Sequence, residues 1–242
     1  MATELPPQRR APPVGGPALG RGPNFPARMR DAHGRSVKLV SMSQGAKGVR
    51  FAELFRESNE TRVSVVLDLD GGTKQDITTG IGFLDHMLTL MAFHGCLDAG
   101  IEAEGDLNVD DHHTAEDVGI VLGRALREAL AESEPIERFG DAAVPMDEAL
   151  VLAALDFSGR GMLFFDHQFR REKLGELSTE CIREFLRAFA AHAGMTLHVR
   201  VLAGANDHHI AEAIFKAVGL ALHRATRRKD RPGSTSTKGT ID

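Results

Sequence analysis

The sequence His-His-Thr-Ala-Glu at residues 112–116 recurs as His-His-Ile-Ala-Glu at residues 208–212, an offset of 96 residues. Each copy follows a predicted strand and opens a predicted helix. A further helix precedes each copy, and His86 in the first of these matches Glu184 in the second. The unit helix, strand, His-His-x-x-Glu, helix therefore occurs twice. We do not expect a supersecondary unit of this kind to bury its apolar face alone, so the repeat predicts two similar halves that pack together.

Hydrophobic periodicity predicts the helices and strands of the chain. Apolar residues at helical spacing predict four helices, and alternating β-branched residues predict strands between them. The predicted helices span residues 82–94, 113–128, 179–192 and 209–227. The predicted strands span residues 62–70, 101–109, 149–156, 162–169 and 196–202.

The His-His-x-x-Glu motif has the spacing of a metal site. Residues three and four apart share one face of a helix, so either histidine can act together with the glutamate. Adjacent histidines diverge by roughly 100° around the helix, which favours sending them to two different ions. Two copies then supply four histidines and two carboxylates, and His86 and Glu184 can each complete one set.

Two questions remain open at this level. Mixed nitrogen and oxygen ligands suit a first-row ion, but affinity alone prefers zinc or nickel over manganese. A single pair of histidines is usually a surface feature, whereas two copies at equivalent repeat positions indicate a metal site. That site can still be structural rather than catalytic.

Composition excludes several classes of partner. The formal net charge is −5, which does not suggest nucleic-acid binding, and no apolar run reaches the length of a membrane span. The two cysteines are too few for a disulfide framework and favour a reducing compartment. Residues 1–46 are predicted to be a disordered Pro/Gly/Arg-rich extension. We expect a cytoplasmic protein, or a plastid one if this extension is a transit segment.

At residues 47–242 the chain resembles the imidazoleglycerol-phosphate dehydratases, in their monofunctional form. Short motifs that match in order carry the resemblance. They lie at residues 56–62, 82–88, 110–117, 145–149, 156–160, 206–212, 215–216 and 236–239.

The resemblance implies an α+β fold with internal duplication, in which each half is a four-stranded sheet with helices packed on one face. The halves would be two pseudo-repeats at about residues 47–140 and 141–230, followed by a substrate-binding tail. It also implies a homo-oligomer of 24 subunits, with active sites between subunits and two Mn²⁺ ions in each site. The substrate would be a small phosphate-bearing molecule.

The resemblance also assigns roles to residues of this chain. Glu60 is the candidate for proton transfer and substrate contact, and metal-held histidines at His86, His113 and His209 are alternative catalytic groups. Glu184 is included among the metal ligands by the repeat alignment, although some family members have histidine there. The implied metal ligands are His86, His112, His113, Glu116, Glu184, His208, His209 and Glu212. The implied substrate contacts, several of them to phosphate, are His94, Arg138, Arg160, Lys216, Ser236, Thr237 and Lys238.

The implied reaction converts imidazoleglycerol phosphate to imidazoleacetol phosphate in histidine biosynthesis. The carbon that loses its proton is not next to a carbonyl, so another electron sink is needed. As a hypothesis, metals on both ring nitrogens would favour an imidazolate, and loss of hydroxide would give a diazafulvene-like intermediate. A two-metal phosphate-ester hydrolase and a non-catalytic, metal-dependent assembly protein remain as alternatives.

Overall fold

The first sheet is built from strands on both sides of the first helix. The computed structural model describes residues 40–41, 50–72, 74–131 and 135–229. The sheet order is β1-β2-β3-β5-β4, with β4 parallel to β5 and the other neighbours antiparallel. The elements of this half are β1 (Val40–Ser41), β2 (Phe51–Glu57), β3 (Thr61–Asp68), β4 (Gln75–Thr78), α1 (Gly82–Gly95), β5 (Asp98–Gly105) and α2 (His112–Ala131).

The second sheet repeats this arrangement. Its order is β6-β7-β11-β8, with β8 parallel to β11 and the other neighbours antiparallel, so its four strands occupy the same places as β2, β3, β5 and β4. The predicted internal duplication and α+β class are therefore confirmed. The elements are β6 (Phe139–Met146), β7 (Ala149–Asp156), β8 (Met162–Asp166), a small hairpin of β9 (Lys173–Leu174) and β10 (Leu177–Ser178), α3 (Thr179–Ala193), β11 (Thr196–Ala203) and α4 (Asp207–Thr226).

Helices of one half pack against helices of the other. The extensive contacts are between α2 and α3 and between α1 and α4, and apolar residues of both halves form one core. None of these four helices combines the length and the hydropathy that a bilayer crossing requires. The core thus explains why neither half is expected to be stable alone.

Two glycines allow the helix pairs to approach closely. A Cβ on Gly123 of α2 would lie 2.6 Å from the carbonyl oxygen of Phe189 in α3. A Cβ on Gly219 of α4 would lie 2.4 Å from the carbonyl oxygen of Met91 in α1. The two glycines are 96 residues apart, like the two motifs, and the residues that they contact are 98 apart, like His86 and Glu184. The contact between α2 and α3 and the contact between α1 and α4 therefore use equivalent residues of the two halves.

Two residues of the predicted extension pair with the first sheet. Val40 and Ser41 lie opposite Phe55 and Leu54 at its edge. The physical reason is that β2 would otherwise be an edge strand with unpaired backbone groups. Residues 1–39, 42–49 and 230–242, which include the predicted tail at 231–242, lie outside the described residues.

We predict that Gly123→Ala and Gly219→Ala each lower the free energy of unfolding by about 1–3 kcal/mol, because the added methyl group meets backbone atoms that cannot move aside cheaply. Urea denaturation followed by circular dichroism measures this change. Gly82→Ala is the matched control, since a Cβ on this helix glycine meets nothing within 4 Å. Equal stability of all three variants would contradict the close helix contact.

Candidate metal and substrate site

The first set of ligands lies where α1 crosses the beginning of α4. His86 Nε2 is 3.1 Å from Glu212 Oε1, and His208 Nε2 is 3.0 Å from the same oxygen. Among the described residues, these three form a group whose potential ligand atoms all lie within 4.8 Å of one another. Two imidazole nitrogens and a carboxylate oxygen are a donor set that suits a first-row transition metal. We call these residues the first set.

Glu212 is held in its ionised form. Its side chain is 11% exposed, and Lys216, one turn further along α4, places Nζ 2.6 Å from Oε2. Burial opposes ionisation, but hydrogen bonds with Lys216, His86 and His208 outweigh it and lower the pKa of Glu212 to about 2. Because Lys216 binds Oε2, Oε1 is the oxygen that faces both histidines. The carboxylate is therefore a ready ligand at neutral pH.

The second set consists of His112, Glu116 and Glu184, at the equivalent crossing of α2 and α3. His112 Nε2 is 3.8 Å from Glu116 Oε2. Arg187 joins the carboxylates of Glu116 and Glu184. Its Nη2 is 2.6 Å from Glu116 Oε1 and its Nε is 2.7 Å from Glu184 Oε2. The structure thus brings the second set together around a guanidinium.

Equivalent caps fix where the two motifs begin. The carboxylate of Asp110 accepts a hydrogen bond from the backbone N–H of His112 at 2.9 Å, and the side chain of Asn206 accepts one from His208 at 3.0 Å. Side chains that accept from the first turn stabilise a helix start. Asp207, the next residue, accepts from the backbone N–H groups of Arg170 and Arg171 and ties the second motif to the preceding loop.

The second histidine of each motif points in a different direction from the first histidine. The rings of His112 and His113 are 6.0 Å apart and nearly perpendicular at 82°, and those of His208 and His209 are 6.3 Å apart at 89°. This confirms that the adjacent histidines diverge. His113 and His209 keep 35% and 26% of their side chains exposed.

A carboxylate holds each of these outer histidines through Nδ1. Asp106 lies 3.1 Å from Nδ1 of His113, and Glu148 lies 2.8 Å from Nδ1 of His209. These hydrogen bonds are the main reason that the pKa of each histidine is raised above its ordinary value, and the bond with His209 lowers the pKa of Glu148 to about 2. A carboxylate on Nδ1 favours the tautomer that leaves Nε2 free to bind a metal.

Glu60 lies on the His113 side of the molecule. It is exposed in the turn between β2 and β3, and its negative charge adds to that of Asp106 in raising the pKa of His113. Glu148 occupies the equivalent turn between β6 and β7, directly before the strand, and contacts His209. The two turns thus place a glutamate near each outer histidine.

The predicted substrate contacts are spread over three places. Lys216 lies beside the first set, and burial followed by the positive charge of Lys216 lowers the pKa of His94. Arg138 forks onto Asp156, with nitrogen to oxygen distances of 2.7 and 3.2 Å. Arg160 is exposed in the turn after β7. The predicted contacts Ser236, Thr237 and Lys238 lie outside the described residues.

Three residues near the site were not predicted. Arg187 has a local signal, since it follows Glu184 by three residues and shares its helix face. Glu148 lies within the matched motif at residues 145–149, but only the packing of its turn against α4 shows its contact with His209. Asp106 has no signal in the sequence that we can identify.

Comparisons with known proteins show which family this chain is similar to. A family model described as imidazoleglycerol-phosphate dehydratase matches residues 79–222. A protein of that name from Acetivibrio thermocellus is 54% identical over 190 residues, covering 78% of this chain and 97% of the relative. The solved dehydratase from Pyrococcus furiosus is 40% identical with a TM-score of 0.68, covering 77% of this chain and 99% of that one. The solved dehydratase from Staphylococcus aureus is also 40% identical, with a TM-score of 0.65 and coverage of 72% and 98%. Since the family model spans more than half of the chain and the relatives are matched over nearly their whole length, the chain belongs to the imidazoleglycerol-phosphate dehydratase family.

Proposed function

We propose that this protein is a hydro-lyase that dehydrates imidazoleglycerol phosphate to imidazoleacetol phosphate in histidine biosynthesis. Family membership supports the reaction. The observation in the structure that carries the proposal is the first set, in which His86, His208 and Glu212 converge from two halves of the chain. The same crossing repeated at α2 and α3 supplies a second, related set.

We further propose that two Mn²⁺ ions bind at each active site. The donors fit such ions, since both sets combine imidazole nitrogen with carboxylate oxygen and the outer histidines are held through Nδ1. Nε2 of His209 lies 3.4 Å from Nδ2 of Asn206 and 3.7 Å from Asp147, so a metal ion there would replace these long contacts. When bound, the metals would supply Lewis acidity toward the imidazole ring of the substrate. The residues proposed to hold them are His86, His112, His113, Glu116, Glu184, His208, His209 and Glu212.

We also propose a homo-oligomer with sites between subunits, and the directions of the outer histidines support this proposal. His113 and His209 diverge from the inner histidines of their own motifs and remain partly exposed. One ion therefore does not readily take both histidines of one motif. Histidines from neighbouring copies can complete each set, and the proposed assembly is the 24-subunit one that the family resemblance implies.

The remaining residues bind the substrate and transfer its proton in this proposal. Lys216 carries a positive charge beside the first set and can attract the phosphate. Arg160 adds an exposed guanidinium, and Arg138 adds a second one that Asp156 holds in place. Ser236, Thr237 and Lys238 are proposed to contact the substrate, as the family resemblance implies. Glu60, exposed near His113, is proposed to move the proton at the reacting carbon.

We expect removal of metal to abolish turnover and Mn²⁺ to restore it, because the histidines need a metal ion to act on the ring. A coupled assay for imidazoleacetol phosphate measures this.

His112→Ala and His208→Ala should each lower kcat/KM by about 100-fold or more, since replacing even the outer-shell partners of metal ligands lowers activity by about 10–100-fold. His223→Ala, at the far end of α4, is the control. Release of inorganic phosphate instead would favour an ester hydrolase.

We expect Glu60→Gln to lower kcat by about 100-fold or more with a smaller change in KM, because an amide can accept a hydrogen bond but cannot take up a proton. Steady-state kinetics with saturating Mn²⁺ test this. Glu57→Gln in the same hairpin is the control, since Glu57 pairs with Arg62. Full turnover by the Glu60 variant would remove Glu60 from the mechanism.

A further inference from the structure

A buried carboxylate ties the turn that carries Glu60 to helix α2. Asp117 follows Glu116 directly on this helix and is buried. Its Oδ2 accepts hydrogen bonds from the guanidinium of Arg56 on β2 and from the hydroxyl of Thr61, a buried residue at the start of β3. Removing a charge from water is costly unless its partners are well placed. We call Arg56, Thr61 and Asp117 the Asp117 network.

The network continues to the backbone of Glu60. Because the hydroxyl of Thr61 donates to Asp117, it can accept from the hydroxyl of Ser58, which lies 3.2 Å away. Ser58 Oγ in turn accepts from the backbone N–H groups of Glu60 and Thr61, at 3.2 and 3.0 Å. The backbone N–H of Ser58 donates to the carbonyl of Thr61 at 2.9 Å and closes the turn. The backbone of Glu60 is therefore connected to α2 through Ser58 and Thr61.

The second half shows that the fold does not need these polar side chains. Strands β2 and β3 match β6 and β7 at an offset of 88 residues, and α2 matches α4 at an offset of 96. The positions equivalent to the Asp117 network hold Val144, Ala149 and Ala213, all of them buried. In that half, β6 and β7 thus pack against α4 with apolar residues at all three positions. Apolar residues in place of a buried ion pair are often neutral or stabilising, so stability alone does not account for the network.

The two hairpin turns hold their glutamates in different ways. Glu148 bonds directly to Nδ1 of His209 at 2.8 Å, and this contact fixes its side chain. In the first half Asp106 bonds to Nδ1 of His113, which leaves the exposed Glu60 without the equivalent partner. A carboxylate that transfers a proton has to be placed without being engaged in this way, so its position must come from the backbone of its turn.

We propose that Asp117 is a positioning residue, which acts through Thr61 on the turn that places Glu60 for proton transfer. This inference rests on the proposed function and on the role proposed there for Glu60. It gives a reason for a buried carboxylate in the first half at a position where the second half has alanine. Since Glu116 precedes Asp117, one turn of α2 then sets both a proposed metal ligand and the group that moves the proton.

The first test is a double-mutant cycle of Thr61→Val and Glu60→Gln, measured by steady-state kinetics of the full-length protein with saturating Mn²⁺. Thr61→Val removes the hydroxyl and nearly keeps the volume. We expect it to lower kcat about tenfold and to change KM by less than about twofold, since a misplacement of about 1 Å can cost about 100-fold. In the Glu60→Gln background it should lower kcat by less than about twofold, because the group that it positions is already lost. Thr61→Ser, which keeps the hydroxyl, should retain most of the activity.

Thr226→Val is the matched control, because Thr226 is also buried and its hydroxyl donates within its own helix, to the carbonyl of Leu222 at 2.9 Å. Unchanged kcat in Thr61→Val would overturn the inference, as would an equal loss in both backgrounds. No dehydration by the unsubstituted protein would instead overturn the proposed function, on which the inference rests.

A second variant separates positioning from folding. Arg56→Val, Thr61→Ala and Asp117→Ala together give the first half the residues that the second half has at these positions. We expect this triple variant to fold with a cooperative urea transition and to have a kcat lowered by about tenfold or more. It also decides the question if Thr61→Val does not fold, as judged by circular dichroism. An unfolded triple variant would show that the network holds the fold, and full kcat would show that Glu60 does not need it. Either result overturns the inference.

Discussion

The close approach of helices across the two halves sets the geometry of everything else. Each set of candidate ligands takes one residue from one helix and two from its partner, so its dimensions depend on the distance between those helices. Gly123 and Gly219 make that distance short, and each follows the first histidine of its motif by 11 residues. Eleven residues are close to three helical turns, so the glycine and the histidine lie on nearly the same face. The surface that packs the helix pair is thus continuous with the surface that presents the ligands.

Duplication gives this framework near symmetry, but the cations around it are not symmetric. Lys216 stands beside the first set, and the equivalent position in α2 is Ile120. Arg187 stands within the second set, and the equivalent position in α1 is Thr89. A substrate with an imidazole ring at one end and a phosphate at the other is itself asymmetric. Such a substrate would meet a lysine beside one set and an arginine within the other, and these two cations stand at positions that the repeat does not relate.

The sequence predicts the framework better than it predicts the contacts. The two motifs and the matched position of His86 and Glu184 were visible from the repeat, and the helices follow from periodicity. Strand β6 was not predicted, because it contains Gly140 and Pro145, which are unusual in strands. In the fold β6 is an edge strand, where proline is tolerated, and Gly140 lets the backbone approach Ala221 of α4. Packing overrides local preference in this strand.

The contact of Arg187 could not be predicted for a related reason. Its spacing from Glu184 is local, but its bond to Glu116 depends on how α2 crosses α3, which involves residues 71 positions apart. The same holds for His209 and Glu148, which are 61 positions apart and meet because a β-turn packs beside the start of α4. Sequence patterns name the residues that can act, whereas tertiary packing decides their partners.

The outer histidines are the part of this framework on which the proposed assembly depends. Two adjacent residues on a helix cannot direct their rings to one point, so each motif has one ring facing the helix pair and one facing away. The facing ring meets ligands from the same chain. The other ring is oriented through its Nδ1 by Asp106 or Glu148. A carboxylate on one ring nitrogen is also what orients a histidine that binds a metal through the other, so each outer ring has the arrangement that the proposed inter-subunit sites require.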